Sequence, residues 1–458
     1  MVNQGSRDPV LGGGARAASD GAGATPPNES DSRRRVWGLH PNVFWAGVAS
    51  FFMDVSTEMV YSLVPIFLSS VLGVNKSVIG VIEGIAETTA SLVKMFAGWL
   101  SDRLGLRKPL MVGGYGVSTL SRILLALATS WSMVLGSRFV DRFGKGIRTA
   151  PRDAIVADSS EKARLGRSFG FHRAMDQFGA VVGPLVAFLV LAFRPEDYRT
   201  VFWISLLPGG LCVAVIVFFI RERKRGEGDS QSGGRRVSAD PPLRSGSDYR
   251  QPSAGGALGR PPHSRVSRPL LFYLMVMAVF SLGNSSDAFL ILRARDLGVA
   301  AFLVPVLYLV FNLVYAGVAV PAGLLADRIG RQRVALIGFA LFALAYAWMA
   351  MARGELEAWG IFTLYGIYMG VADGNSRALL ADLTQGVRHG TSFGAFHMVV
   401  GLAALPASVM AGLLYDHVSP QAPFWLGAGG AVLAGVLMVI LVRPPSQSSL
   451  SRSAISSR

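Results

Sequence analysis

Gly98–Lys108 reads GWLSDRLGLRK, and Gly323–Arg333 reads GLLADRIGRQR. The two stretches lie 225 residues apart (98 to 323), about half of the 458-residue chain. Each follows a long apolar run and precedes another, so each is a tight, charged loop between two hydrophobic helices. The duplication continues beyond the loop. Gly146, Asp158, Gly166, Ser168, Phe169 and Gly170 recur as Gly370, Asp382, Gly390, Ser392, Phe393 and Gly394, all at an offset of 224. So many matches at one offset mark an internal repeat spanning half the chain. Repeated halves whose charged loops join membrane-length segments are the pattern of a transporter.

The chain is 51% apolar and 16% charged, where soluble domains carry about a quarter charged residues. Apolar windows of about 20 residues place twelve spans. They are 42–69, 76–101, 108–129, 131–153, 165–193 and 198–220, then 269–293, 301–325, 331–352, 357–382, 391–416 and 421–443. The expected fold is an all-α integral membrane protein: twelve transmembrane helices in two pseudo-symmetric six-helix bundles, 42–220 and 269–443. Residues 1–41 lack an apolar core of signal-peptide length and end in Arg33, Arg34 and Arg35, as expected of a disordered cytosolic tail. Residues 221–268 are dense in Arg, Ser, Gly and Pro and form a basic, flexible cytosolic linker; 444–458 form a cytosolic tail.

The net charge of +15 could be taken for nucleic-acid binding, but its placement argues otherwise. Lys and Arg crowd the first tail, the loops 102–108, 151–167 and 327–333, and the linker. The opposite loops, such as Pro195–Thr200 and Ala352–Glu357, are short and mixed in sign. This positive-inside bias places both termini in the cytoplasm of a multi-pass plasma-membrane protein, the inner membrane if the cell is bacterial. Cys212, the one cysteine, sits in an apolar run; it excludes a disulfide framework and reads as a small core hydrophobe.

The loop pattern is G-x-L-x-D-R-x-G-R-[KR], supplied first by Gly98, Leu100, Asp102, Arg103, Gly105, Arg107 and Lys108. Its second copy is Gly323, Leu325, Asp327, Arg328, Gly330 and Arg331. With these residues the chain resembles the major facilitator superfamily over roughly 42–443, and drug/proton antiporters within it. The resemblance implies that these residues form a cytoplasmic hinge and latch, the aspartate pairing with basic groups and a helix N-terminus. A carboxylate there gains from the helix dipole. A plain cytosolic turn that fixes orientation is the alternative, and both can hold together. In span five Gly170, Gly179, Gly183 and Pro184 fit the family's antiporter motif g-X8-G-X3-G-P, except that Ala187 and Phe188 replace its closing glycines. Glycines four apart let helices approach closely and proline bends the span; ordinary helix packing would ask for the same residues. Span four departs from the family's R-x-x-Q-G: Arg138 is followed by Asp141 and Arg142, so a proton-relay role for the arginine does not carry over.

Ionisable groups at membrane depth are costly, and their default reading is functional. Asp54 and Glu58 share a helix face in span one, as do Glu83 and Glu87 in span two. These four are the proton-coupling candidates. In span four Arg138, Arg142, Lys145, Thr149 and Arg152 fall within about 40° of one line, flanked by Asp141 and Arg148. Two readings compete for this stripe. Either nearby carboxylates neutralise it as a structural network, or part of it receives an anionic or zwitterionic substrate. The substrate-cavity candidates are Arg138, Asp141, Arg142, Lys145, Arg173, Asp176, Asp287, Asn312, Asp373 and Asn375. Asn312 stands at the repeat equivalent of Glu87, 225 residues on.

The expected function is proton-coupled efflux of a small organic compound, anionic or drug-like, by rocker-switch alternating access. Uptake of an organic anion or metal chelate by proton symport is the alternative, and a transporter-like membrane receptor a further one. No G-x-x-x-x-G-K-[ST] loop for ATP occurs. The histidines, His40, His172, His263, His389, His397 and His417, are not spaced as a metal site. The chain is therefore expected not to be an enzyme and to need no cofactor, drawing on the proton gradient. Its expected partners are a small-molecule substrate, protons and the bilayer, and it is expected to be a monomer.

Overall fold

The computed structural model describes residues 36–104, 106–160, 165–221, 268–384 and 389–442. The tails and linker read from the sequence lie almost wholly outside the described residues. The first half contains α1 (Pro41–Tyr61), α2 (Val64–Ile66), α3 (Lys76–Leu104), α4 (Arg107–Ala126), α5 (Trp131–Asp158), α6 (Leu165–Phe193), α7 (Tyr198–Ile204) and α8 (Leu206–Phe219). The second contains α9 (Arg268–Gly283), α10 (Ala288–Asp296), α11 (Val304–Ile329), α12 (Arg331–Met351), α13 (Glu355–Leu383), α14 (His389–His417) and α15 (Ala422–Leu441). Helix covers each of the twelve apolar windows. Among the described residues, eight helical segments are long and apolar enough to cross a membrane by length and composition. The other four, α3, α4, α5 and α13, are 20–29 residues long. They are the helices whose charged faces lower their mean hydropathy.

The repeat is visible as contacts made twice. A methyl group on Gly146 of α5 would lie 2.6 Å from Val93 Cβ of α3, and one on Gly370 of α13 would lie 2.8 Å from Val318 Cβ of α11. Both glycines therefore seat their helix directly on its neighbour. Arg107 pairs with Asp158, and Arg331 pairs with Asp382 at 2.6 Å. Both members of the second pair lie 224 residues beyond the first, whereas Gly105 and Gly330 are 225 apart. Leu106 is the extra residue that absorbs the difference.

Each half breaks its first long helix at the same place. Pro65 lacks an N–H and its ring crowds the carbonyl of Tyr61. There α1 stops, and the chain resumes through α2 and a π-helical turn at Phe67–Val71. In the second half α9 stops at Gly283, Asn284–Asp287 are unwound, and α10 begins at Ala288. Asp287 and Ser62 are equivalent under the 225-residue offset.

The halves meet along two seams, α3 against α14 and α6 against α11. At Gly80 a methyl would sit 2.2 Å from the Ser408 carbonyl oxygen, and at Gly401 it would sit 2.2 Å from Ser91 Cβ. Asp416 accepts from the Ser77 amide at 2.7 Å and from its hydroxyl at 2.6 Å. Thr88 donates to the Gly401 carbonyl at 2.7 Å. Between α3 and α14 these hydrogen bonds and glycine contacts run from the end remote from the termini down to Ser91. None is found nearer the terminal face among the described residues. The remote face is closed, and Lys94, Lys145 and Arg377 are exposed on the other side of that closure.

Candidate functional site

The cationic stripe of α5 is divided. Arg138 Nη2 lies 2.7 Å from Glu83 Oε2, both buried. Arg142 Nη2 lies 2.9 Å from Glu87 Oε1 and Nη1 3.9 Å from Asp141, which also pairs with Arg122 at 3.2 Å. Arg138 and Arg142 both lie over the Tyr61 ring, 5.4 and 5.7 Å from its centre. For these residues the neutralised network is the arrangement observed. Arg148 instead donates to Ser118 Oγ at 2.9 Å and covers the Tyr115 ring. Lys145 is exposed, and neither it nor Arg148 has a carboxylate within 4 Å among the described residues. Sequence reasoning missed Arg122, which is 1% exposed and also donates to Thr57. Its signal was available: a lone arginine in the apolar run SRILLALA.

Asp54 and Glu58 are held differently. No ion pair within 4 Å involves either among the described residues, and Glu58 Oε2 is buried without a hydrogen-bond partner. The span-five motif packs on them. A methyl at Gly179 would lie 2.6 Å from the Phe51 carbonyl oxygen and 2.9 Å from Asp54 Cβ; one at Gly183 would lie 2.7 Å from the Val55 carbonyl oxygen and 2.9 Å from Glu58 Cβ. The two glycines thus seat α6 on the two carboxylate-bearing turns of α1. Gly170 departs from the expected packing role, since a methyl there would meet nothing within 4 Å. Glu83 and Glu87, grouped with Asp54 and Glu58 from the sequence, are instead tied to arginines and must break an ion pair to take a proton.

Arg173 reaches from α6 into the second half, donating to Tyr315 and lying 3.4 Å from Asp373. Asp373 also accepts from Tyr315 at 2.9 Å and from Arg377 at 2.5 Å. Asp176 lies 3.5 Å from His172, whose other ring nitrogen meets Ser50 Oγ at 2.9 Å. Two cavity candidates donate to backbone carbonyls. Asn312 donates to the Ala180 carbonyl at 3.0 Å across the α6–α11 seam, and Asn375 donates to the Arg331 carbonyl at 2.9 Å. Both amides satisfy backbone groups and bind helices together.

At the hinges, Gly330 has φ +95°, a conformation that needs glycine, and Gly323 faces open space. Arg331 lies 4.0 Å from Asp327 as well as pairing with Asp382. Arg328 is exposed, as is Arg103 in the first copy. The remaining expectations for that copy, on Gly98, Asp102 and Gly105, fall on positions whose side chains or structure are outside the description. Asp287, at the break between α9 and α10, accepts from the Tyr365 hydroxyl at 2.7 Å. Around it lies a run of stacked rings that sequence reasoning did not assemble: Tyr346 on Phe342, Tyr365 on Phe311, and Tyr308 against Tyr61. These tyrosines come from four separated helices, so no sequence spacing links them.

The profile of the Major Facilitator Superfamily matches residues 46–292 and 271–457. An uncharacterised MFS-type transporter of Methanocaldococcus jannaschii is 31% identical over 420 residues, covering 90% of this chain and 97% of the relative. A protein of Cupriavidus pinatubonensis named as a probable 4-methylmuconolactone transporter is 26% identical over 63% of each chain. The quinolone resistance protein NorA of Staphylococcus aureus is 23% identical over 38% of this chain and 44% of its own. Among solved structures, a POT family transporter superposes with TM-score 0.70 at 11% identity, over 90% of this chain and 98% of the other, a likeness of fold.

Proposed function

The chain belongs to the Major Facilitator Superfamily of membrane transporters, and we propose that it exports a small organic compound in exchange for protons. It is a multi-pass membrane transporter and not an enzyme. In this reading all twelve helical segments span the membrane, both termini lie in the cytoplasm, and the protein is a plasma-membrane monomer that needs no cofactor. Residues 42–220 and 269–443 form the two bundles, joined by the basic cytosolic linker and flanked by the cytosolic tails 1–41 and 444–458. The closed remote face is then the outer face, and the conformation described is open to the cytoplasm. Rocking of one half on the other would open the α3–α14 and α6–α11 seams outward.

The observation that carries the reading is the seating of Gly179 and Gly183 on Asp54 and Glu58. Neither carboxylate has an ion-pair partner within 4 Å among the described residues, and rocking of one half on the other would change which side of the membrane reaches them. Such a group can therefore take a proton from one side and release it to the other. The partial match to NorA, a quinolone resistance protein, favours export. Uptake of an organic anion by proton symport is the second reading; it draws on Lys145 and Arg148, the two stripe cations without a carboxylate within 4 Å among the described residues, and on the match to a protein named as a probable 4-methylmuconolactone transporter.

The test is proton movement in proteoliposomes under an imposed substrate gradient. Export predicts protons moving against substrate; co-movement would overturn antiport in favour of symport. Asp54→Asn and Glu58→Gln should each be assayed for exchange and for proton-driven transport. A coupling carboxylate loses the second and keeps the first. If both variants retain proton-driven transport at wild-type rate, neither residue carries the coupled proton.

A further inference from the structure

We propose that the break between α9 and α10 is the recognition point for the substrate, and that what it recognises is a protonated amine. The inference rests on the transporter reading above but not on its coupling ion or direction. It starts from Asp287. This carboxylate is partly exposed, its helix has unwound around it, and no Lys or Arg lies within 4 Å of it among the described residues. The charged groups closest in effect are Glu58, Glu83 and Glu87 from the opposite half, all of the same sign. Glu83 and Glu87 are answered by Arg138 and Arg142. Asp287 and Glu58 come from opposite halves, and neither has a Lys or Arg within 4 Å among the described residues, with Lys145 and Arg142 the cations that act on Glu58. The start of α10 beside Asp287 offsets part of its charge, but not that of Glu58.

The walls around the two carboxylates are aromatic. Tyr61 and Tyr308 stand 5.6 Å apart at the interface, Tyr308 lies 5.1 Å from Phe311, and Phe311 stacks on Tyr365 at 5.5 Å. Tyr365 spends its hydroxyl on Asp287. Tyr346, 1% exposed, lies within 6.2 Å of the Tyr365 ring, and its hydroxyl, with Ser285 and Tyr365 as its polar neighbours, makes no hydrogen bond of normal geometry. A buried, unpartnered hydroxyl is costly, and this one lies beside the Asp287 break, where a ligand's polar hydrogen would satisfy it. Carboxylates framed by ring faces attract cations by charge and by the ring quadrupole together. An N–H-bearing ammonium adds hydrogen bonds to both carboxylate and hydroxyl. Metal ions fit this niche poorly, since hard cations take several oxygen ligands and the walls here are ring faces.

Two substrate types share this chemistry: simple organic amines, and zwitterions whose carboxylate could reach Lys145. Three probes of one shape separate them from anions: phenethylamine, phenylalanine and 3-phenylpropionate. Binding to the purified full-length protein is measured by calorimetry without any ion gradient, so a failure of proton coupling leaves the result unaffected. We expect phenethylamine or phenylalanine to bind and 3-phenylpropionate to bind at least about tenfold more weakly. Asp287→Asn should weaken the amine about tenfold or more, and Tyr365→Phe by several-fold, with thermal unfolding checking that each variant is folded. Tyr346→Phe, which removes the orphan hydroxyl without changing the ring, should weaken the amine and stabilise the empty protein. Lys145→Gln should weaken phenylalanine alone if the substrate is a zwitterion and neither amine-bearing probe if it is a simple amine. The proposal is overturned if 3-phenylpropionate binds as tightly as the other two. It is equally overturned if neither amine binds, or if Asp287→Asn, folded, binds phenethylamine as the wild type does.

Discussion

Replacing Gly179 by alanine tests the seam on which the coupling reading depends. The added methyl would lie 2.6 Å from the Phe51 carbonyl oxygen, 2.9 Å from Asp54 Cβ and 3.2 Å from the Val55 amide, where ordinary contact begins at 3.4 Å. Two of the three obstructing atoms are backbone, which cannot rotate away. Helix α6 must therefore withdraw from α1 by about 0.8 Å, or α1 must bend, because interiors packed at crystal density do not absorb such a displacement locally. Overpacking of this kind costs about 1–3 kcal/mol. Gly183→Ala meets the same obstruction one turn on, at 2.7 Å from the Val55 carbonyl oxygen. The two substitutions push the same pair of helices apart, so the double variant should cost less than the sum of the singles. Gly170→Ala is the control: its methyl meets nothing within 4 Å, and alanine is favoured over glycine in a helix by about 0.5–1 kcal/mol. Thermal unfolding in detergent should rank Gly170→Ala at or above wild type and Gly179→Ala clearly below it. A widened seam also admits water to Asp54, so Gly179→Ala should leak protons in proteoliposomes without substrate. Equal stability of the two variants, with no leak from Gly179→Ala, would refute the close-packed seam and the coupling argument with it.

Other perturbations probe separate parts of the molecule. Arg138→Met leaves Glu83 buried without a partner and should destabilise by about 3–5 kcal/mol, whereas Arg138→Met combined with Glu83→Leu should recover most of that loss; detergent unfolding of the cycle reads the difference. Lys94→Cys should react with a membrane-impermeant maleimide from the cytoplasmic side and not from outside, and the fully buried native Cys212 supplies little background. Labelling from outside alone would invert the proposed topology. Asp197, in the loop before α7, accepts from the Thr200 hydroxyl at 2.6 Å and its amide at 3.1 Å, and the hydroxyl first of all holds its carboxyl below the ordinary range. Asp197→Ala should cost about 1 kcal/mol as a lost helix cap. Because the folded value is depressed, the contribution is present above the ordinary aspartate range and disappears as pH falls through the folded value, so wild type and variant should converge in acid unfolding.

The fold was legible because membranes restrict what a sequence can do. A segment in lipid must satisfy its own backbone, so long apolar runs are helices, and the repeated D-R-x-G loops supplied the symmetry. The repeat recurs in particular contacts, since Gly146 and Gly370 make the same approach to Val93 and Val318. The site was legible in part. Spacing along one helix placed Asp54 with Glu58 and aligned Arg138 with Arg142, because residues four apart share a face. It could not say which carboxylate answers which arginine, since that depends on how α3, α4 and α5 meet. Arg122, Asp141 and Glu83 needed three helices to be brought together. For Asn312 and Asn375 spacing could not foresee the backbone carbonyls they meet, because a polar residue at membrane depth can satisfy a backbone carbonyl as well as a substrate. The tyrosines around Asp287 were invisible for the opposite reason. Singly, each is an ordinary aromatic residue in an apolar span, and the niche exists through convergence alone.

The two helix breaks bear on why the halves carry such different chemistry. They fall at equivalent positions, Ser62 and Asp287, but are made by unrelated means: a proline and a π-helical turn in one half, an unwound Asn-Ser-Ser-Asp segment in the other. A feature reached by two local routes at one symmetric point is required by the architecture, because a local accident would not recur in register. Near this point α2 meets α10 and Tyr61 meets Tyr308, so the breaks lie where the halves converge above the open side. An unwound turn frees backbone groups and bends the helix, and the end of a helix there carries its own partial charge. The first half fills its break with Ser62, fully buried, and pairs Glu83, Glu87 and Asp141 with arginines on the neighbouring helices. The second places a carboxylate at its break with no Lys or Arg within 4 Å among the described residues. In the proposed reading one symmetric fold would bind substrate from the second half and take up protons in the first, with the two breaks meeting at the interface between them.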